Sequence, residues 1–85
     1  PDIGVYWMNM GKALLMNQLP QKAAEAFQKA LDRGGPPKDL YRLLGLSFRT
    51  LGRHQTAQEY FIKALKQDPE NQEIQGYLRE EAQKG

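Results

Sequence analysis

The sequence has no cysteine and no long apolar run. Without cysteine, disulfide frameworks, thiol nucleophiles and cysteine-ligated zinc sites are excluded. No apolar run approaches the roughly 20 residues that a membrane-spanning helix needs. The single histidine and the single serine, His54 and Ser47, have no evident third member of a catalytic triad near them in the sequence. We therefore predict no catalysis, no metal, no cofactor and no membrane span.

The sequence also has little net charge. The 85 residues carry 12 basic and 10 acidic side chains, for a net charge of +2. Residues 38–69 hold six basic and three acidic residues, whereas residues 70–85 hold two and four. Arg42 and Arg49 are seven positions apart and share one face of a helix. A net charge this small, with an acidic end, is far from the basic stripe of a nucleic-acid-binding protein, so nucleic acid is a disfavoured partner.

A repeat with a period of 34 residues is the strongest pattern in the chain. Seven pairs of identical residues are related by this offset without a gap: Gly11 and Gly45, Ala23 and Ala57, Glu25 and Glu59, Phe27 and Phe61, Lys29 and Lys63, Ala30 and Ala64, and Leu31 and Leu65. A period of this length with helical spacing inside each unit indicates a helix–turn–helix repeat. Such units stack because none buries its apolar face alone, and the stack presents an extended surface for binding.

Residues 38–71 resemble the tetratricopeptide repeat (TPR) at eight positions. These are Tyr41, Leu44, Gly45, Phe48, Ala57, Phe61, Ala64 and Pro69. Residues 4–37 match less completely, since Gln18 stands at the usual turn glycine and Pro20 stands where an aromatic residue is common, so we expect the first turn to differ in detail. The resemblance implies an all-α, right-handed superhelix in one domain (residues 1–85), with repeats at 4–37 and 38–71 and a capping helix at 72–85. Because repeat proteins usually need about three units and the chain begins with proline, we expect a segment of a longer protein.

Helical spacing and turn residues predict five helices. Their approximate ranges are 4–17, 20–33, 38–51, 54–67 and 70–83. Gly11 and Gly45 lie inside helices, where glycine costs about 1 kcal/mol relative to alanine. We expect both to allow the paired helix to approach closely. His54 is expected to be a solvated residue that opens the fourth helix, and Ser47 a small packed residue.

The predicted fifth helix departs from the repeat pattern. Arg79 stands where the repeat has glycine, and an arginine there would obstruct a further helix. The helix is predicted to cover the second repeat with one apolar face and to turn its acidic residues to water. The apolar face comprises Ile74, Tyr77, Leu78 and Ala82, and the acidic residues are Glu73, Glu80 and Glu81. It is interpreted as a terminal cap, with a truncated third repeat as the alternative.

The resemblance also implies a groove for a partner, lined by the first helix of each repeat. Its candidate residues, called the candidate groove below, are Met8, Lys12, Leu15, Met16, Asp39, Arg42, Leu46, Arg49 and Thr50. Val5, Glu73, Gly76 and Glu80 would extend it. The expected ligand is an apolar protein segment with an acidic residue near Arg42 and Arg49, because a guanidinium fork suits a carboxylate.

Alternatives to the groove stay open at this point. Met8 and Met16 could instead lie at the edge of the core, and the two arginines could be an ordinary solvated face. The chain as a whole could instead be one stretch of a longer scaffold that packs against further repeats or another subunit. A capped module is expected to be monomeric, whereas an excised stretch would associate through exposed apolar residues near its start, such as Val5, Tyr6 and Ile3.

Overall fold

Five α-helices follow one another along the chain in a computed structural model that describes residues 2–84. They are α1 (Ile3–Met16), α2 (Pro20–Asp32), α3 (Pro37–Thr50), α4 (His54–Gln67) and α5 (Gln72–Lys84). No strand occurs in this range. Each helix packs mainly on the next one, with the pairs α1–α2 and α3–α4 in closest contact. The all-α prediction is confirmed, and every predicted helix is present. None of the helices within residues 2–84 is long and apolar enough to cross a membrane.

The ends of the helices follow from local capping. The Asp2 side chain accepts a hydrogen bond of 3.0 Å from the Val5 backbone N–H and so caps α1. Pro20 is the first residue of α2, where its missing N–H has no helical partner to lose. In α5, the Asn71 side chain accepts from the Ile74 N–H at 3.1 Å. This cap explains why α5 begins at Gln72, two residues after the predicted start.

The two turns within the helix pairs have the same geometry. Gln18 has φ 62° and Gly52, its equivalent 34 residues later, has φ 79°. In each turn this residue donates to the carbonyl three residues back at 3.0 Å, and the next residue donates to the carbonyl five residues back at 2.9 Å. These are the two bonds of a Schellman motif. The expectation that the first turn differs is therefore wrong: Gln18 adopts the left-handed conformation that glycine adopts in the second turn.

The core of each helix pair is built around a glycine and a phenylalanine. A Cβ atom placed on Gly11 would lie 2.5 Å from Cε1 of Phe27, and one on Gly45 would lie 2.5 Å from Cε1 of Phe61. Both rings are fully buried. Since carbon atoms in contact lie about 3.5–4.0 Å apart, neither position has room for a side chain. The predicted close approach at both glycines is confirmed.

Three predictions about the contact between α4 and α5 are wrong. Glu81 is fully buried, and Ala82 is exposed. His54 opens α4 as expected, but its side chain is only 30% exposed because it contacts Glu81. The reason is register: Glu81 lies 34 residues after Ser47, which is also fully buried. The face of α5 that meets α4 therefore runs through Glu81 and excludes Ala82. The predictions for Ile74, which is buried, and for Glu73 and Glu80, which are exposed, are confirmed.

Candidate functional site

The candidate groove residues lie on α1 and α3, the first helices of the two pairs. Lys12, Met16 and Thr50 are exposed. Leu15, Asp39, Arg42, Leu46 and Arg49 are half-buried. Met8 is only 9% exposed and belongs to the core cluster around Phe27, so it offers a ligand little surface. Its alternative, a place in the core, is the one that the structure favours.

The residues of α3 fall into two groups: some are buried in the core, and others keep part of their surface accessible. Leu40 and Leu44 are fully buried or nearly so. Arg42 and Leu46, one turn apart, keep part of their surface accessible. Leu46 packs against the edges of both hydrophobic clusters, so it lies where the two helix pairs meet. An accessible aliphatic side chain and an accessible cationic side chain therefore lie next to each other on this helix.

Arg49 is engaged by α5. Its Nη1 atom lies 3.7 Å from Oε2 of Glu80, and its Nε atom lies 3.9 Å from Oε1 of Glu81. Its guanidinium lies over the ring of Tyr77, 4.7 Å from the ring centroid. Among residues 2–84, by contrast, no acidic side chain lies within ion-pair distance of Arg42. The two arginines, which sequence reasoning treated as equivalent, thus differ in their freedom to meet a ligand.

A buried carboxylate, missed by sequence reasoning, joins α5 to α3 and α4. The Nδ1–H of His54 donates to Oε2 of Glu81, with 2.5 Å between the heavy atoms. Gln58 donates from Nε2 to the backbone carbonyl of Glu81 at 2.8 Å. A signal for this contact is present in the sequence, since the 34-residue offset aligns Glu81 with Ser47 and, one period earlier, with Ala13. A carboxylate at a position that is small in two units requires a partner, because an unpaired buried charge is strongly unfavourable.

His54 and Ser47 both have structural contacts. The Ser47 hydroxyl donates to the Leu43 carbonyl of its own helix at 2.9 Å and is fully buried. This agrees with the prediction of a small packed residue. Within the described part of the chain, no group of three or more histidine, cysteine, aspartate or glutamate side chains could hold a metal ion.

Two shallow depressions border α2, which contributes residues to both. One, of about 360 Å³, is lined by Gln18, Leu19, Pro20, Gln21, Lys22, Glu25 and Leu51. The other, of about 200 Å³, is lined by Gln21, Ala24, Glu25, Gln28, Leu44, Phe48 and Tyr60. They share Gln21 and Glu25. None of the candidate groove residues lines either depression, so this surface is a separate control region for binding experiments.

The architecture defines a class: a helical-repeat protein, in which pairs of antiparallel helices recur at a fixed period and stack. Residues 39–71 match the profile of the tetratricopeptide repeat. The match identifies these residues as a tetratricopeptide repeat and supports membership of the tetratricopeptide-repeat family for the chain. Repeats of this family in general mediate interactions between proteins.

One relative is the general transcriptional corepressor ssn6 of Schizosaccharomyces pombe. The chain is 30% identical to it over 76 residues, which cover 87% of this chain and 7% of the relative. The chain thus spans a small part of the length of the curated relative that it matches.

Proposed function

We propose that the chain is a non-catalytic protein-interaction module that binds a partner peptide or helix at the candidate groove. The observation that carries this proposal is the division of α3 into buried packing residues and accessible ones. Arg42 and Leu46 keep part of their surface accessible, although Leu44, which lies between them in the sequence, is only 1% exposed. Lys12 and the 85%-exposed Met16 supply a second cation and an adaptable apolar contact on α1.

The proposed ligand is an apolar segment with at least one acidic residue. Its carboxylate meets Arg42 first, since Arg49 already faces Glu80 and Glu81. Arg42 can bind a carboxylate with two parallel hydrogen bonds, which also sets the orientation of the ligand. Leu46 then provides apolar contact one turn further along α3.

The test is affinity capture from cell lysate with identification by mass spectrometry, followed by affinity measurement with the captured partner. Arg42→Glu is compared with Arg53→Glu, which makes the same charge change at an exposed turn residue. Reversing the charge of Arg49 is a poorer test of the groove than reversing that of Arg42. Arg49→Glu would place a second carboxylate beside Glu81 and disturb α5. Circular dichroism verifies that both variants keep the helicity of the parent chain.

Loss of the partner with Arg42→Glu but not with Arg53→Glu supports the groove. A partner that tolerates Arg42→Glu and is lost with Glu25→Lys would contradict it, since Glu25 lines both depressions and is not a candidate groove residue. The relative is named as a transcriptional corepressor. If the captured partners include proteins of transcriptional repression, the same role would be supported for this chain.

A second candidate function, a structural segment of a larger scaffold, is favoured by the outer face of α1. Tyr6 and Met10 are 57% and 38% exposed, whereas their equivalents on α3, Leu40 and Leu44, are buried. α1 contains a single charged residue, Lys12, and a helix that is apolar on all sides is normally covered. Solution mass separates the two functions. Concentration-dependent association that Tyr6→Lys abolishes favours the scaffold, and a monomer at all concentrations favours the module.

A further inference from the structure

α5 contacts the rest of the chain through a regular amphipathic pattern. Ile74 is 1% exposed, the Tyr77 ring lies 5.1 Å from the ring of Phe61 between centroids, and Leu78 packs against the same hydrophobic cluster. With Glu81, these residues fall at positions i, i+3, i+4 and i+7, which lie on one face of a helix. This is the spacing with which an amphipathic helix is recognised in a groove between other helices.

The surface below α5 is polar at one end and apolar at the other. Phe61 forms its apolar end, where Ile74 and Tyr77 dock. At its polar end, Arg49 and His54 approach the Glu81 carboxylate from two different helices. Gln58 holds the backbone of α5 at the same point. We call Arg49, His54, Gln58 and Phe61 the α5 platform. Its chemistry matches a helix that presents an apolar stripe followed by a carboxylate.

α5 fits this platform imperfectly. Oε1 of Glu81 is buried without a hydrogen-bond partner in the described residues, and a buried polar atom without a partner is unfavourable. Gly76 lowers the stability of the helix, and no close packing requires it, since a Cβ atom there would meet only Nη2 of Arg79 at 3.9 Å. α5 packs mainly on one helix, α4, whereas α2, α3 and α4 each pack on two neighbouring helices. Local opening is expected at such weakly held terminal elements.

We propose that the α5 platform is a second protein-interaction site, which binds an amphipathic helix of a partner protein in place of α5. The partner helix carries apolar residues at i, i+3 and i+4 and a glutamate at i+7. α5 is the intramolecular occupant of this site and competes with the partner. The apparent affinity of the partner helix is therefore reduced by the fraction of molecules in which α5 is docked. This inference does not depend on ligand binding at the candidate groove.

Binding of a fluorescent peptide with the sequence of residues 71–84 tests the proposal by anisotropy. The full chain with Ile74→Asp, which removes the buried anchor of α5, is compared with the full chain with Ile62→Asp. Ile62 is 47% exposed on α4, so this control makes the same substitution without releasing α5. We expect the peptide to bind the Ile74→Asp chain at least about tenfold more tightly, because the open fraction of the platform rises by that factor or more.

The requirement for the glutamate is tested with the same chain and a peptide that carries Glu81→Gln. Binding at least about tenfold weaker than that of the parent peptide is expected, since one buried charge-assisted hydrogen bond is worth about this factor. Equal affinity of the two peptides would show that the platform does not require a glutamate at i+7. Absence of binding to an Ile74→Asp chain that keeps the helicity of α1–α4 would overturn the proposal.

Hydrogen exchange of the unmodified chain provides a test that does not depend on folding of a variant. If α5 detaches by itself, its amides exchange faster than those of α3 and α4. Their exchange rate also rises less steeply with denaturant concentration, because detachment of α5 exposes less surface than unfolding of the whole chain. If the amides of α5 are protected as strongly as those of α3, α5 leaves only when the whole chain unfolds. That result would contradict exchange with a partner helix.

Discussion

Substitution of Gly45 by alanine tests how tightly the second helix pair is packed. The added Cβ atom would lie 2.5, 2.6 and 2.9 Å from Cε1, Cδ1 and Cζ of Phe61. The ring has little freedom to yield, since it is fully buried and also contacts the ring of Tyr77, with 5.1 Å between the centroids. α3 and α4 must therefore separate by up to about 1 Å to restore ordinary carbon–carbon contact.

Two opposing effects set the expected magnitude. Overpacking of a core destabilises by about 1–3 kcal/mol, and replacement of a helical glycine by alanine stabilises by about 1 kcal/mol. Because Phe61 is fully buried, we expect the upper part of the packing range and a net loss of about 1–2 kcal/mol. For a chain of this size, that loss lowers the melting temperature by roughly 5–15 °C.

Thermal and urea unfolding followed by circular dichroism measure the change, with Gly76→Ala as the matched control. Gly76 also lies inside a helix, but its Cβ atom would meet nothing closer than 3.9 Å. It should therefore show only the gain in helix propensity, a stabilisation of up to about 1 kcal/mol. Gly11→Ala should behave like Gly45→Ala, because Phe27 stands in the same relation to it. If Gly45→Ala proved as stable as Gly76→Ala, the close-approach explanation would be refuted.

Two further predictions concern the turn and the buried carboxylate. Gln18→Gly should stabilise the chain by about 0.5–1 kcal/mol in urea unfolding, because it removes left-handed strain of about 1–2 kcal/mol while raising the entropy of the unfolded chain. Gly52→Gln should destabilise the chain by a similar amount. Destabilisation by Gln18→Gly would show that φ 62° at Gln18 is unstrained. His54→Ala should destabilise by about 1–3 kcal/mol, because it leaves the Glu81 carboxylate without its hydrogen-bond donor. A double-mutant cycle with Glu81→Ala should give a coupling energy of about 0.5–3 kcal/mol, and additive effects would indicate that the two side chains do not interact.

The helices and their pairing could be predicted from the sequence because the 34-residue repeat encodes packing by size. Gly45 opposite Phe61 is a local consequence of two residue volumes, and it recurs at Gly11 and Phe27. Turn glycines and prolines likewise act on their own backbone. Gln18 shows the limit of this reasoning, because its unfavourable φ is imposed by the helices that it joins and not by its own preference.

The candidate groove could be predicted only as a set of positions. Whether a side chain at such a position is free depends on neighbours that are distant in the sequence. Met8 is held by the core, and Arg49 is held by two glutamates of α5. Arg42 differs from Arg49 because α5 reaches one and not the other, which no pattern within α3 reveals.

By itself, the sequence determined the class of fold, the number of helices, the glycine–phenylalanine contacts and the absence of cysteine chemistry. Those properties depend on local backbone preferences and on residue volumes repeated at a fixed period. The tertiary structure alone decided that Glu81 is buried against His54 and that Arg49 is engaged by α5. Such contacts join residues 27 and 32 positions apart, and they exist only when α5 docks in one register on the surface of α3 and α4.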